Sequence, residues 1–243
     1  MQEHRHRESI MSLDTISPHE YVSNLPLTKE GRFNKMELIP GHGFFITKYL
    51  QRIDETISDF LLTHPHSIAV RIDLRLPKHY NWESPTGRPL FSKFIDSLKA
   101  RIQAYGYSLT RQGKRFHPTN VGFIWCREFN TNNHPHYHCI LLFNKQTFRG
   151  LGQLGMDSIG LYGMISKAWC SSLSCTQVEG DGLIYVPGNH LYHIRRGEPY
   201  DELFKRASYL AKQRSKMWGL ASHNFGTSRR ASAKLSWSVR RGL

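Results

Sequence analysis

Apolar and polar positions along the chain follow two periods, and the switch between them marks the elements. Over Phe44–Leu62 the apolar residues Phe45, Tyr49, Ile53, Ile57, Phe60 and Leu61 recur every three to four positions. That spacing predicts an amphipathic helix, closed by His64-Pro65. The next segment, SIAVRIDLRLP, alternates strictly: Ile68, Val70, Ile72, Leu74 and Leu76 against Ala69, Arg71, Asp73 and Arg75. Period two predicts a half-buried strand with one apolar face and one face of Arg, Asp and Arg, ended by Pro77. After a Pro/Gly-rich loop, Phe91, Phe94, Ile95, Leu98 and Ile102 predict a second helix that ends at Gly106. Two strands, TNVGFIWCREF and HYHCILLF, are separated only by NTNNHP, and so short a polar loop implies a hairpin.

Farther along, residues 160–170 read as a helix, 182–194 as a strand pair broken at Pro187-Gly188, and 201–217 as one long helix. The order strand, helix, strand, strand, helix, strand, helix predicts an α+β domain with a mainly antiparallel sheet and helices packed on it. Residues 1–40 show no sustained period and read as a loosely ordered lead-in. Residues 41–64 form the first helix, 65–220 the main domain, and 221–243 a basic tail.

Charge narrows the partners. The 243 residues carry 33 Lys and Arg against 19 Asp and Glu, a net of +14, and +8 of that falls within residues 201–243. A concentrated basic excess is the footprint of a polyanion, most commonly nucleic acid. The longest apolar run is Cys139–Phe143 and no basic amphipathic helix stands out, so no membrane partner is expected. The N-terminus lacks the apolar stretch of a signal peptide, which gives a cytoplasmic expectation. Four cysteines without a C-x-x-C pair speak against a zinc ribbon or a disulfide framework.

Two constellations carry chemistry. In His136-Tyr137-His138 the two imidazoles share one face of a strand, a ready pair of metal ligands. If the hairpin pairs across residues 130–135, Glu128 falls close to His136 and completes a three-ligand site. Asp73 and His134 are the alternatives for that third position. Two nitrogens and a carboxylate suit Mn²⁺ or Mg²⁺ in phosphate chemistry.

The second constellation is the segment DELFKRASYLAKQRSKM. On a helix, Leu203, Phe204, Ala207, Leu210 and Ala211 form the buried stripe, while Lys205, Tyr209, Lys212 and Lys216 cluster opposite. One phenol among three ammonium groups favours the phenolate and attracts phosphate. Together the constellations suggest a tyrosine that attacks a DNA phosphodiester beside a divalent cation, leaving a phosphotyrosine and a free 3′-hydroxyl.

At this point the sequence resembles a known family. His136-Tyr137-His138 is similar to the His-hydrophobic-His signature of the HUH endonucleases, the superfamily of rolling-circle initiators and relaxases. Tyr209-Leu210-Ala211-Lys212 is similar to its single-tyrosine Y-x-x-K motif. VRIDLRLP, the WCREF…HPHYHCILLFN hairpin, and RASYLAK followed by FGTSRR look closer still to the YagK/YfjJ family of inovirus-type phage and prophage replication proteins. The likeness covers roughly residues 40–230.

The resemblance implies an RRM-like sheet (the HUH palm) that carries the metal site, and nicking of single-stranded or hairpin DNA at a replication origin. Tyr209 would be the nucleophile, Lys212 would assist at the scissile phosphate, and His136 and His138 would hold the metal with a third ligand that varies across the superfamily. No P-loop is present, so unwinding falls to a host helicase and replication machinery. Arg71, Arg75, Lys205, Lys216, Arg229 and Arg230 are the expected DNA contacts. Two rival readings remain on sequence alone. One is a non-catalytic origin-binding protein on the same fold. The other is a single-strand binder using Trp125 and Tyr137 on an open sheet.

Overall fold

A computed structural model describes residues 25–82, 89–132, 134–155, 158–214, 216 and 224–229. The chain opens with the short strands β1 (Leu27–Thr28), β2 (Arg32–Phe33), β3 (Met36–Glu37) and β4 (Phe45–Ile46). Helix α1 (Thr47–Thr63) leads into β5 (His66–Arg75), α2 (Leu90–Arg111), β6 (Gly122–Phe129) and β7 (Pro135–Asn144). Then come α3 (Leu161–Leu173), β8 (Ile184–Tyr185), β9 (Leu191–Arg195), α4 (Asp201–Ser208), a 3₁₀ turn at Tyr209–Ala211, and β10 (Phe225–Thr227).

The centre is a six-stranded antiparallel sheet in the order β10-β6-β7-β5-β8, with β9 also paired to β5. The α+β expectation therefore holds. Helices cover both faces. Ile68, Val70, Ile72 and Leu74 of β5 join Tyr137, Cys139, Leu141 and Phe143 of β7 under α2 and α3, against Phe94, Leu98 and Trp169. The opposite face carries Ala69, Ile124, Cys126, Ile140 and Leu142 under α1 and α4, against Leu50, Ile53, Ile57, Leu203 and Phe204.

This two-sided cover corrects the half-buried reading of β5. Ala69 is fully buried and Arg71 is 4% exposed, because α1 and α4 close the face that alternation alone assigned to solvent. It also removes the open aromatic sheet. Trp125 stacks on Phe91 at 4.9 Å between ring centroids and Tyr137 is buried in the α2/α3 core, so neither offers a platform for bases.

Three boundaries move for physical reasons. α2 runs through Gly106 to Arg111, since Gly106 is a packing position: a Cβ there would lie 2.6 Å from the Phe116 ring. The helix expected over 201–217 stops at Ser208, and the chain then tightens into the 3₁₀ turn and becomes extended at Lys212. Lys212 bridges Phe45, and Gln213 N–H donates to the Phe44 carbonyl at 2.8 Å, so pairing with the β4 segment replaces the last helical turns. Past residue 221, Phe225–Thr227 pairs with Cys126, Trp125 and Ile124 as an edge strand, so the sheet continues where a tail was expected. Residues 221–223 and 230–243, Arg230 included, lie outside the described residues, as do residues 1–24.

Candidate metal and tyrosine site

Alternation along β7 puts His136 and His138 on the sheet face that α1 and α4 cover, at the end where the cover stops. The hairpin register then does the assembling. Glu128 of β6 and Arg75 of β5 lie directly opposite His136, while Cys126 and Asp73 lie opposite His138. Directly opposed residues of an antiparallel pair point to the same side, so these groups converge. His136 Nε2 and His138 Nε2 are 3.1 Å apart, and His138 Nε2 is 3.3 Å from Glu128 Oε2. One ligand atom from each of Glu128, His136 and His138 falls within 4.8 Å of the others, so a single cation could touch all three. Glu128, expected from sequence as the third ligand, thus lies where it could join the two histidines around a cation. His134 lies outside this trio and lines the adjacent groove.

Asp73 takes a different position from the one considered in sequence. Its Oδ1 lies 2.8 Å from Nδ1 of His138, on the far side of the ring from the ligand atom. The Arg71 guanidinium pairs with the same carboxylate and approaches Nδ1 at 2.7 Å. Two carboxylates, Asp73 at Nδ1 and Glu128 at Nε2, thus flank the two nitrogens of the His138 ring. This is the carboxylate–histidine arrangement that orients metal-bound imidazoles. Arg71 is consumed in holding it, which corrects its assignment as a DNA contact.

Burial tunes the ligands. It lowers the His136 pKa to about 4, with His138 beside it acting in the same direction, so the ring is neutral and able to coordinate at neutral pH. Burial pushes the Glu128 carboxyl up, but the His138 hydrogen bond and the Lys216 and Lys212 ammonium groups outweigh it and hold the group well below the usual carboxylate range. Asp73 is likewise lowered, its burial offset by His138 and Arg71.

Two lysines come inward rather than outward. Lys212 Nζ lies 2.9 Å from Glu128 Oε2, and Lys216 Nζ lies 3.5 Å from Oε1 and donates to the Lys212 carbonyl at 2.8 Å. Both are buried, so the wet lysine face expected of a long helix does not exist. Lys205 stays on the surface against Glu37 at 2.8 Å, and its assignment to the site falls with the helix. Arg75 stands exposed at the rim, while Arg229 is exposed beside a separate cavity near the start of β6.

Tyr209 is brought to the same place by the turn after α4. Its ring meets His138 edge-on at 5.1 Å, and Lys212 Nζ sits 3.7 Å from its centroid. His42 also meets the ring edge-on at 5.0 Å, a contact that sequence reasoning missed. Its signal was the flanking pair Gly41 and Gly43, both at positive φ (79° and 72°), which mark a shaped loop. Around the phenol and imidazoles stand three buried cationic side chains, Arg71, Lys212 and Lys216, with Arg75 at the rim, against two carboxylates. The balance favours an anionic substrate, and a divalent cation would add to it.

A groove of about 690 Å³ opens beside the imidazoles, lined by Asp73, Arg75, Lys78, Asn132, His134 and His136 among others. Asn130 shapes its rim by accepting the backbone N–H groups of Asn132 and His134 at 3.0 and 2.9 Å.

Comparison with known proteins agrees with the extent of this fold. The family model of the YagK/YfjJ C-terminal domain matches residues 28–228. The chain is 33% identical over 198 residues to the uncharacterized protein YagK of Escherichia coli (strain K12), covering 77% of this chain and 95% of that protein. It is 31% identical over 202 residues to the uncharacterized protein YfjJ of the same strain, covering 77% and 96%. No solved structure gives a significant match.

Proposed function

The chain belongs to the YagK/YfjJ C-terminal domain family, and on that premise we propose that it is an HUH-type, metal-dependent, single-tyrosine endonuclease. Its substrate is single-stranded or hairpin DNA at the replication origin of a phage or prophage. It works in the cytoplasm of a bacterial host with the host's helicase and replication machinery. The observation that carries the reading is the meeting of Tyr209 with the His138 ring, 5.1 Å away, inside a cluster that holds Glu128, His136 and Lys212.

The residues divide the work. Glu128, His136 and His138 would hold Mn²⁺ or Mg²⁺, which when bound polarises a scissile phosphate. Asp73, at Nδ1, would orient the His138 ring with Nε2 toward the metal. Lys212, beside the Tyr209 ring, lowers the cost of negative charge on the phenol oxygen and on the leaving group. His138 and His42 both meet the ring edge-on and fix the line of attack. The Tyr209 oxygen forms a bond to phosphorus, and the bond from phosphorus to the 3′ oxygen breaks with its electron pair. The phenol releases one proton and the leaving oxygen takes up one, so no other reactant is needed. The link between Tyr209 and the 5′ phosphate keeps the bond energy for rejoining.

The test is incubation of the protein with labelled single-stranded DNA from its own element's intergenic region, with Mn²⁺ or with EDTA, followed by a denaturing gel. A metal-dependent protein–DNA adduct, lost in Tyr209→Phe and in His136→Ala, is expected. Equal binding with EDTA and no adduct would instead leave a non-catalytic DNA-binding protein.

A further inference from the structure

The sheet register extends the site beyond the metal trio. β8 pairs with β5 so that Tyr185 lies directly opposite Asp73, and Asp73 lies directly opposite His138. All three side chains therefore stand on one face, in one row across the sheet. Two inter-strand spacings of about 4.8 Å separate Tyr185 from His138, which places the tyrosine within about 10 Å of the ligand pair. Tyr185 is 47% exposed, against 8% for Tyr137 under α2 and α3, so a large aromatic ring is held open next to the site. The Arg75 guanidinium is centred 5.1 Å from its ring, and Arg75 also lines the groove that leads to His136 and His138. Within that groove Lys78 and Asn132 are exposed, and His134 Nε2 is buried with no hydrogen-bond partner.

Accepting the DNA reading above, we infer that Tyr185 and Arg75 form a stacking subsite for a base of single-stranded DNA close to the phosphate held at Glu128, His136 and His138. An aromatic ring beside a guanidinium plane is the arrangement on which unpaired bases stack. The flanking cations Arg75 and Lys78 meet the backbone phosphates of that segment. The exposed Asn132 amide supplies hydrogen-bonding groups for a base edge, a source of sequence preference at this position. Tyr185 on β8 and Tyr209 on the turn after α4 both lie outside the groove lining, and in this reading the strand passes from Tyr185 across the ligands to the nucleophile.

The experiment uses the full chain carrying Tyr209→Phe, which keeps the DNA intact, and two fluorescein-labelled 20-nucleotide strands. One is oligodeoxythymidylate, and the other is an abasic strand with the same phosphates. Tighter binding of the thymidylate strand is expected. Tyr185→Ala should weaken it by about 5- to 100-fold, the range for loss of one stacked base, with the abasic strand unaffected. Tyr185→Trp should retain the preference, and Arg75→Gln should weaken both strands and reduce the salt slope by about one. Tyr185→Thr, which keeps strand propensity, serves as a second truncation beside the alanine variant. Unchanged binding of both strands by the truncated proteins overturns the subsite while leaving the nickase reading intact. Failure of the parent to bind either strand removes the DNA reading and the subsite with it. Base-dependent binding through Tyr185, together with no adduct from the chain that retains Tyr209, keeps the subsite and removes the nickase.

Discussion

The two faces of the central sheet are built from the same strands yet carry opposite kinds of side chain. Under α2 and α3, every inward position from Ile68 to Leu74 and from Tyr137 to Phe143 is apolar, and the face is a packed core. Under α1 and α4, the apolar positions Ala69, Ile140 and Leu142 give way toward one end of the antiparallel pair to Arg71, Asp73, His136 and His138. The first face accounts for stability. The second keeps polar groups at low exposure only by pairing each one, which is affordable where the network is complete. The candidate site sits at the transition between cover and opening, where the groups that could hold a metal are dry enough to be tuned and still reachable from a groove.

That contrast gives graded predictions. Truncating the apolar face should cost the most stability and no chemistry. Phe94→Ala removes a fully buried ring against Trp169 and should lose about 3–5 kcal/mol in denaturant unfolding, with Mn²⁺ affinity per folded molecule unchanged. A loss of metal binding in a folded Phe94→Ala protein would contradict the separation of the faces.

Glu128→Gln strikes the polar face at its hub. It leaves the buried Lys212 and Lys216 without their carboxylate and should cost about 3–5 kcal/mol together with metal binding. Adding Lys216→Met, which removes one stranded charge, should restore part of the stability and none of the metal affinity. Absence of that recovery by thermal melting would mean that the lysines are not held by charge.

Asp73→Asn preserves shape and removes only the acceptor charge behind His138. Mn²⁺ affinity, read by calorimetric titration, should fall about 10- to 100-fold. Smallest is Lys205→Ala, which breaks a surface pair with Glu37 and should change stability by about 0.2–1 kcal/mol and nicking not at all.

The site was legible in sequence as far as local geometry reaches. Period two in HPHYHCILLF puts His136 and His138 on one face, and a short loop obliges Glu128 to return beside them. The Asp73 contact depends on how β5 aligns with β7, a register that no local pattern specifies. Tyr209 and Lys212 were found by their motif, but their surroundings were not. Helical periodicity carried the chain through Lys216 as a wet face, whereas pairing of Lys212 with Phe45 and the pull of Glu128 on two ammonium groups turn it inward. Arg71 was misplaced for a related reason. Alternation identifies two faces of a strand, but it does not say that a second helical layer covers the polar one. Tyr185 carries no signal at all until β8 is seen to pair with β5.

The most direct test of the account is peptide mapping by mass spectrometry after the protein has reacted with single-stranded origin DNA and Mn²⁺, and the DNA has been trimmed by nuclease. The account predicts a nucleotide-phosphate mass on the peptide containing Tyr209, absent when EDTA replaces the metal. The same adduct on another tyrosine, or on Tyr209 with and without metal alike, would contradict it.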